Sequence, residues 1–346
     1  MTSLKSQVVK VEIKPKGAPL FVDGVRIDDK TFIVTGKILR TASLKNEWQE
    51  DVDSPREVIR ALKAAPIRID FLKFWQRIPE SEPKYPYYRE WRQVAAIPIT
   101  DFKHWWNKQV NCKTRNMVRK AQKMGVMIDR VELNDEFIRG VTGIYNDSPV
   151  RRGKPFRHYG KDFETVKQEL SAAEGEVVYV AAHYNKELIG FIQFLVADRY
   201  AMVTMILDKA SHREKSPMNG MIAKVIEICA ERNIPYLTYT LWRRGDHGRF
   251  QKHNGFIKIP VPEYYVPLTW RGRLALRLRL HEGVKGALPV AVTVWLLGLR
   301  AKCYSLNFVQ RFVRRSRERK STLCSASSGR SSGLPYEADP GAKASR

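Results

Sequence analysis

The chain has 346 residues, enough for two medium domains that each bury a core, and its 43% hydrophobic and 28% charged residues are those of an ordinary globular enzyme. Sixty-one Lys and Arg against 36 Asp and Glu leave a net charge of +25. Such a field draws polyanions, whether nucleotide phosphates, tRNA, anionic lipid headgroups or acidic glycans, without choosing among them. The four cysteines, at 112, 229, 303 and 324, have neither metal-ligand nor redox spacing, so no metal site and no disulfide framework is expected and a reducing, cytoplasmic setting fits. The opening MTSLKSQVVKVEIKPKG lacks the long apolar run of a secretory signal. The longest apolar stretch, 287–299, falls short of the roughly 20 residues that span a bilayer.

In chain order, residues 7–36 hold short alternating runs broken by Pro and Gly and read as strands. A helix follows over 54–65, where Ser54 suits the cap, Pro55 the first turn, and Val58, Ile59 and Leu62 form one face. Strands are expected over 66–76 and 89–100. Residues 101–125 read as one helix stopped at Gly125, with Met117, Val118, Ala121 and Met124 on one face and Lys113, Arg115, Arg119, Lys120 and Lys123 around the rest. That cationic face suits a phosphate backbone or plain solvation. Helices over 132–146 and about 160–173 flank an unusual loop. Three strands come next, 176–185, 186–198 and 200–208, the first two joined by a turn over His183–Glu187. A helix over 217–232, a strand over 235–242, a short helix over 248–255 and a strand over 264–269 close the pattern. Beyond 270 the chain is very basic, then apolar over 287–299, then basic again over 310–320. This suits a helix packed on the protein or one lying on an anionic membrane face. Residues 321–346 are rich in Ser, Gly and Ala, show no apolar face, and are expected to be disordered.

The order of elements repeats. A helix opening Ser54-Pro55 precedes the strand PIRIDFLKFW and later Ile97-Pro98-Ile99-Thr100. A helix opening Ser216-Pro217 precedes PYLTYTLW and later Val266-Pro267-Leu268-Thr269. Each Pro-Thr strand leads to a helix with a tryptophan near its start, Trp105 or Trp270.

The order strand, strand, strand, helix, strand, helix, strand over 176–269 resembles the core of the GCN5-related acetyltransferases. The segment Phe250-Gln251-Lys252-His253-Asn254-Gly255-Phe256 is similar to that family's signature ending in Gly-Phe. With KTRNMVRKAQKMGV, Lys252 and the tandem echo, the closer resemblance is to the FemAB-like branch, covering 100–270 well and 1–100 loosely. It departs from the acetyltransferase pattern twice: the phosphate loop Arg213–Gly220 carries one glycine, and Gln251 stands where a tyrosine is usual.

The resemblance implies an α/β fold with a mixed sheet in two tandem lobes. A degenerate lobe over 1–110 would be joined to a site-bearing lobe over 111–270, a basic and apolar helical extension over 271–318 and a disordered tail over 319–346. An acyl carrier would lie between strands 200–208 and 235–242, pairing as an extra strand, with backbone N–H groups such as that of Leu207 holding the acyl oxygen. The start of the 217–232 helix, with Lys215, Ser216, Met218, Asn219 and Gly220, would cradle the carrier phosphates, Lys215 adding charge and Gly220 admitting the ligand; a plain Ser-Pro cap is the alternative. Lys252 would touch carrier phosphate. Asp208 and His253 are the expected bases, with His212 and His247 behind them; each is otherwise a loop residue. The loop over 145–159 would form the acceptor side. Arg151 and Arg152 would fork onto carboxylate or phosphate, Tyr145 and Tyr159 would stack, and Lys154 and His158 lie alongside.

The expected activity is N-acyl transfer from acetyl-CoA or another acyl-CoA to an amine of an envelope or polysaccharide acceptor, including an anionic sugar or envelope precursor. The setting would be cytoplasmic, with peripheral contact at the inner membrane face. Two readings compete with it: a peptidyl transferase using aminoacyl-tRNA, disfavoured by the lack of a sustained heptad run, and a non-catalytic protein binding nucleic acid or membrane on the same fold.

Overall fold

The computed structural model describes residues 6–13, 20–151 and 153–281. These lie almost wholly within the compact unit Met1–Leu276. The second unit, Arg277–Arg346, falls outside the described residues beyond position 281, and with it the expected apolar segment and tail.

The chain opens with β1 (Ser6–Ile13), β2 (Leu20–Ile27), β3 (Lys30–Thr35) and β4 (Thr41–Leu44), a meander of antiparallel neighbours. Helix α1 (Pro55–Ala64) begins on its proline and buries Pro55, Val58, Ala61 and Leu62. It leads to β5 (Phe71–Trp75), which lies parallel to β4. Next come β6 (Tyr88–Pro98), α2 (Phe102–His104), one π-helical turn over Trp105–Gln109 and α3 (Cys112–Lys123). The single helix expected over 101–125 is thus broken at Val110–Asn111. Asn111 accepts from the N–H of Thr114 and starts α3 afresh, a stronger local capping signal than the apolar periodicity that ran across it.

The second half holds β7 (Met127–Val131), α4 (Asp135–Asn146), the two-residue strands β8 (Val150–Arg151) and β9 (Lys154–Pro155), and α5 (Phe163–Ser171). Then come β10 (Glu176–Tyr184), β11 (Glu187–Val196), β12 (Ala201–Asp208), α6 (Pro217–Glu231), β13 (Tyr236–Leu241), α7 (Gly245–His253), β14 (Ile257–Pro267) and α8 (Trp270–Arg277). The turn between β10 and β11 holds Asn185 and Lys186, both at positive φ, as a tight right-twisted hairpin requires.

Twelve strands form one sheet in the order β1-β2-β3-β4-β5-β14-β6-β13-β12-β11-β10-β7. The middle of that order explains the tandem construction. β14, late in the chain, sits between β5 and β6, and β6, early in the chain, sits between β14 and β13. Each lobe therefore completes its sheet with a strand from the other. In the second lobe α6, α3 and the π turn cover one face, burying Trp105, Val118, Met221, Val225 and Cys229 with Val203 and Ile206. Helices α4 and α5 cover the opposite face through Phe137, Tyr145 and Val166 against Tyr179 and Phe191. Among the described residues no helix is long and apolar enough to cross a membrane.

Candidate active site

β12 and β13 run parallel but are joined at only two positions, Ala201 with Leu237 and Met202 with Thr238. Three local features drive them apart. β12 bulges at Thr204, so that Gln193 faces Met205 while Phe194 faces Val203, and the Thr204 hydroxyl donates to the Gln193 carbonyl at 3.0 Å. β13 slips its register against β6 between Thr238 and Leu241, where Thr240 adopts a φ of 57°. Gln251, wholly buried on α7, then fixes the departing strand. Its amide donates to the carbonyls of Tyr239 at 3.0 Å and Leu241 at 3.3 Å, and its oxygen accepts the Arg243 N–H at 3.0 Å. The residue that replaces the expected tyrosine is thus spent on holding β13 open.

The opening exposes one edge of β12. Lys209 N–H donates to Ile189 carbonyl at 2.8 Å beside the Gly190–Asp208 pair. The alternation of an antiparallel ladder then turns the N–H groups of Ile206 and Asp208 toward the gap and that of Leu207 toward β11. The backbone donors sought at Leu207 therefore belong to its two neighbours, while the Leu207 side chain lines the cleft.

That cleft has a volume of about 250 Å³. β12 contributes Ile206, Leu207 and Asp208, β13 contributes Tyr239, and α6 contributes Met218; His247 and Phe250 approach from α7, and Arg151, Phe156 and Arg213 close the rim. A second cavity of about 390 Å³ shares Phe156, Ile206, Leu207 and Tyr239 and continues past Pro155, Arg157, His158, Thr204 and Met205. The two spaces meet where the strands part.

Asp208 sits at the end of β12 with its carboxylate buried. Burial raises its pKa above the ordinary carboxylate range, against the pull of Arg213, whose Nε lies 3.4 Å from Oδ1, and of Arg151. Arg151 does not fork onto empty space. Its two terminal nitrogens donate to the carbonyls of Asp208 and Ile144, both at 2.8 Å, and its guanidinium lies 4.2 Å from the centre of the Phe156 ring. It pins the 145–159 loop to β12. Asp147 does the same for the turn ahead of α6, accepting from Ala210 N–H at 2.6 Å and the Ser211 hydroxyl at 3.1 Å.

Tyr145 is buried, and its hydroxyl reaches the Met205 sulfur at 3.2 Å; burial pushes its pKa up. His158 packs against it with ring centres 4.4 Å apart. Burial, then Lys161, Arg157 and Arg151, push the imidazole down to about 4, so it is neutral at physiological pH. Lys154 and Tyr159 are exposed, and Arg152 lies outside the described residues.

The start of α6 differs in detail from the expectation. Ser216 takes a left-handed φ of 58° and makes no side-chain cap, leaving first-turn N–H groups at Met218 and Asn219 uncapped. Lys215 turns away, its ammonium 4.7 Å over the Tyr184 ring and 2.6 Å from Glu214. Asn219 donates to Asn254 at 3.2 Å. Gly220 faces the other side of the helix, where a Cβ would stand 2.3 Å from Ile128 Cδ1; its lack of a side chain serves the packing of β7 on α6. Lys252 is exposed, and the His253 carbonyl accepts from the Thr114 hydroxyl at 2.9 Å, tying α7 to α3; neither side chain lines the cleft. The structure thus gathers Asp208, Leu207, Met218, Arg151 and His158 around the two spaces, sets Tyr145 in the core behind them, and leaves Lys215, Gly220, Lys252 and His253 outside.

Tyr239, Phe250 and Arg157 line the two spaces; the sequence pattern placed Phe250 in the Gly-Phe segment and Arg157 in the 145–159 loop but gave none of the three a role in the site. The signal for Tyr239 was its place on the second of two strands expected to part.

The parallel pair that separates after two contacts, the helix between its strands and the repetition of this unit in both halves decide the architecture. The fold is acetyltransferase-like, doubled in the FemAB manner. No protein-family model and no curated protein matches the sequence. Among solved structures, the C-terminal domain of a putative lysylphosphatidylglycerol synthetase from Agrobacterium fabrum is similar at 13% identity, over 72% of this chain and 84% of that one, with a TM-score of 0.49. L-PGS from Bacillus licheniformis is similar at 12% identity, over 72% and 85%, with a TM-score of 0.49. FemX is similar at 11% identity, over 79% and 90%, with a TM-score of 0.46. These are likenesses of fold alone.

Proposed function

We propose that this protein is an acyltransferase, moving an acyl or aminoacyl group from a phosphate-bearing carrier to an amine, with acyl-CoA as the carrier and aminoacyl-tRNA as the alternative. The observation that carries the reading is the gap between β12 and β13, whose free edge presents the N–H groups of Ile206 and Asp208 beside a buried carboxylate. A carrier arm pairs with that edge as an added strand, and the same donors take up the charge that develops on the carbonyl oxygen. The amine enters from the larger cavity and meets the carbonyl in the opening, so alignment supplies much of the acceleration. Asp208, with its raised pKa, removes the proton of the attacking ammonium. Arg213 and the uncapped start of α6 face the carrier phosphates, in the place first given to Lys215 and Gly220. The +25 charge favours a polyanionic carrier or acceptor, and an envelope precursor at the inner membrane face is one acceptor of that kind.

Thermal-shift titration with acetyl-CoA, longer acyl-CoAs and charged tRNA tests this. Stabilisation by one class alone selects the carrier. No response to any of them removes the transferase reading. Asp208→Asn should lower turnover by about a hundredfold or more with carrier binding retained, and unchanged turnover would take the base role from Asp208.

A further inference from the structure

The larger cavity holds one cation whose charge no carboxylate answers. Arg157 is exposed at its wall, and among the described residues it forms no ion pair. Its neighbours are committed: Arg151 is bound to two carbonyls and Lys161 to Glu169. Arg157 is nevertheless aimed. Its Nε–H donates to His158 Nε2 at 2.9 Å, and His158 is 6% exposed, packed against Tyr145 and Phe156. Two donors face the two ring nitrogens, Arg157 Nε–H at Nε2 and the Lys161 ammonium 3.2 Å from Nδ1, and a neutral ring accepts at only one of them; the tautomer with its lone pair on Nε2, the shorter contact, is the one that orients Arg157. The ring therefore sits between two permanent cations, and a second proton on it would abolish the acceptor that orients Arg157. With Nε spent on His158, both terminal nitrogens of the guanidinium stay available as a fork. The rest of the wall is Pro155, Phe156, Met205, Ile206, Leu207 and the ring of Tyr239, and the Thr204 hydroxyl proton is used on Gln193.

We propose that Arg157 is a specificity residue selecting acceptors that carry a carboxylate or phosphate close to the reacting amine, and that His158 is the positioning residue that aims it. This rests on the larger cavity being the acceptor side of the proposed transferase. The fork holds the anion at the wall while the amine reaches the opening between β12 and β13. It gives to Arg157 the role that the sequence pattern assigned to Arg151 and Arg152.

Binding of matched amines to the full chain tests the proposal without any carrier. Phosphoethanolamine is compared with ethanolamine, and β-alanine with propylamine, by ligand-observed magnetic resonance. The anionic member of at least one pair should bind about tenfold tighter, as one charge-assisted contact provides, and the pair that shows it separates phosphate from carboxylate. In Arg157→Gln the two members should converge, and Arg157→Lys should keep part of the difference. His158→Ala should narrow the difference and His158→Gln, which restores an acceptor near the Nε2 position, should recover it. A merely structural role would move stability and leave the ratio alone. Equal binding within both pairs in the wild type, or a difference that survives Arg157→Gln, overturns the proposal. Failure of every carrier in the thermal-shift titration would instead remove the transferase reading while the Arg157 preference still stood or fell by its own measurement.

Discussion

Both lobes set two parallel strands side by side, join them at two positions and let them part, yet the opening is filled between β4 and β5 and empty between β12 and β13. In the first lobe the segment after β4 folds back over β5. Trp75 donates its indole N–H to the Glu47 carbonyl at 2.9 Å, and Trp48 stands edge-on to Trp75 with centres 4.3 Å apart. Buried Arg77 then pairs with Asp51 at 2.7 Å and reaches Asp198 of the second lobe at 3.1 Å. The Tyr200 hydroxyl closes on the Trp48 carbonyl. In the second lobe the segment after β12 is drawn the other way, tied by Asp147 to the end of α4 and by Lys209 to β11, so that among the described residues this segment does not cross the gap. The same topology makes a joint or a socket according to where the chain goes after the first strand of the pair.

The joint is the place to break this contrast most severely. Arg77→Ala strands the Asp51 carboxylate without its main partner and should cost about 3–5 kcal/mol in chemical denaturation. A loss below about 1 kcal/mol, the worth of a solvated surface pair, would mean that the first lobe is not held shut by this network. Gln251→Ala attacks the socket. It removes the partner of one backbone N–H and two carbonyls and should cost about 3 kcal/mol, with carrier stabilisation lost as well. Reduced stability with full carrier binding would show that the gap does not depend on Gln251. Gly220→Ala sharpens the assignment of faces on α6. Overpacking against Ile128 should cost about 2 kcal/mol while a bound carrier still stabilises the protein by its usual increment. Loss of that increment alone would return Gly220 to the carrier side.

The smallest effect concerns pH. His158 is held near 4 in the folded protein against 6.5 for a free imidazole, so the unfolded chain takes up the proton first as pH falls. Stability is then fully present above 6.5 and declines toward 4. The contribution of this one group from pH 6.5 to about 5 should be about 1 kcal/mol after allowing for the open mouth of the cavity. In His158→Phe that part of the slope should vanish; an unchanged slope would place the ring in solvent.

Much of the architecture was legible beforehand because it is written in local chemistry. Apolar runs marked β10, β11 and β12, Ser-Pro marked the starts of α1 and α6, and the turn over His183–Glu187 marked the hairpin, each through torsional or burial preferences that act within a few residues. The repeated order of Ser-Pro helix and strand disclosed the tandem plan, and strand order put Asp208 at the mouth of the site. What sequence could not disclose was pairing. β6 with β13 and β14 with β5 bring together residues far apart in the chain, and nothing local distinguishes an exchanged strand from a retained one. Helical faces went the same way. Gly220 and Lys215 have the composition of a phosphate loop, but Ile128 and Tyr184, arriving from distant strands, determine which way they face. The sequence by itself determined the elements, their order and the residue that ends β12. Only the tertiary structure decided which strands separate, which arginine keeps its fork open and which lobe keeps its gap, because those depend on contacts whose partners are set by the whole fold and not by the spacing of residues along the chain.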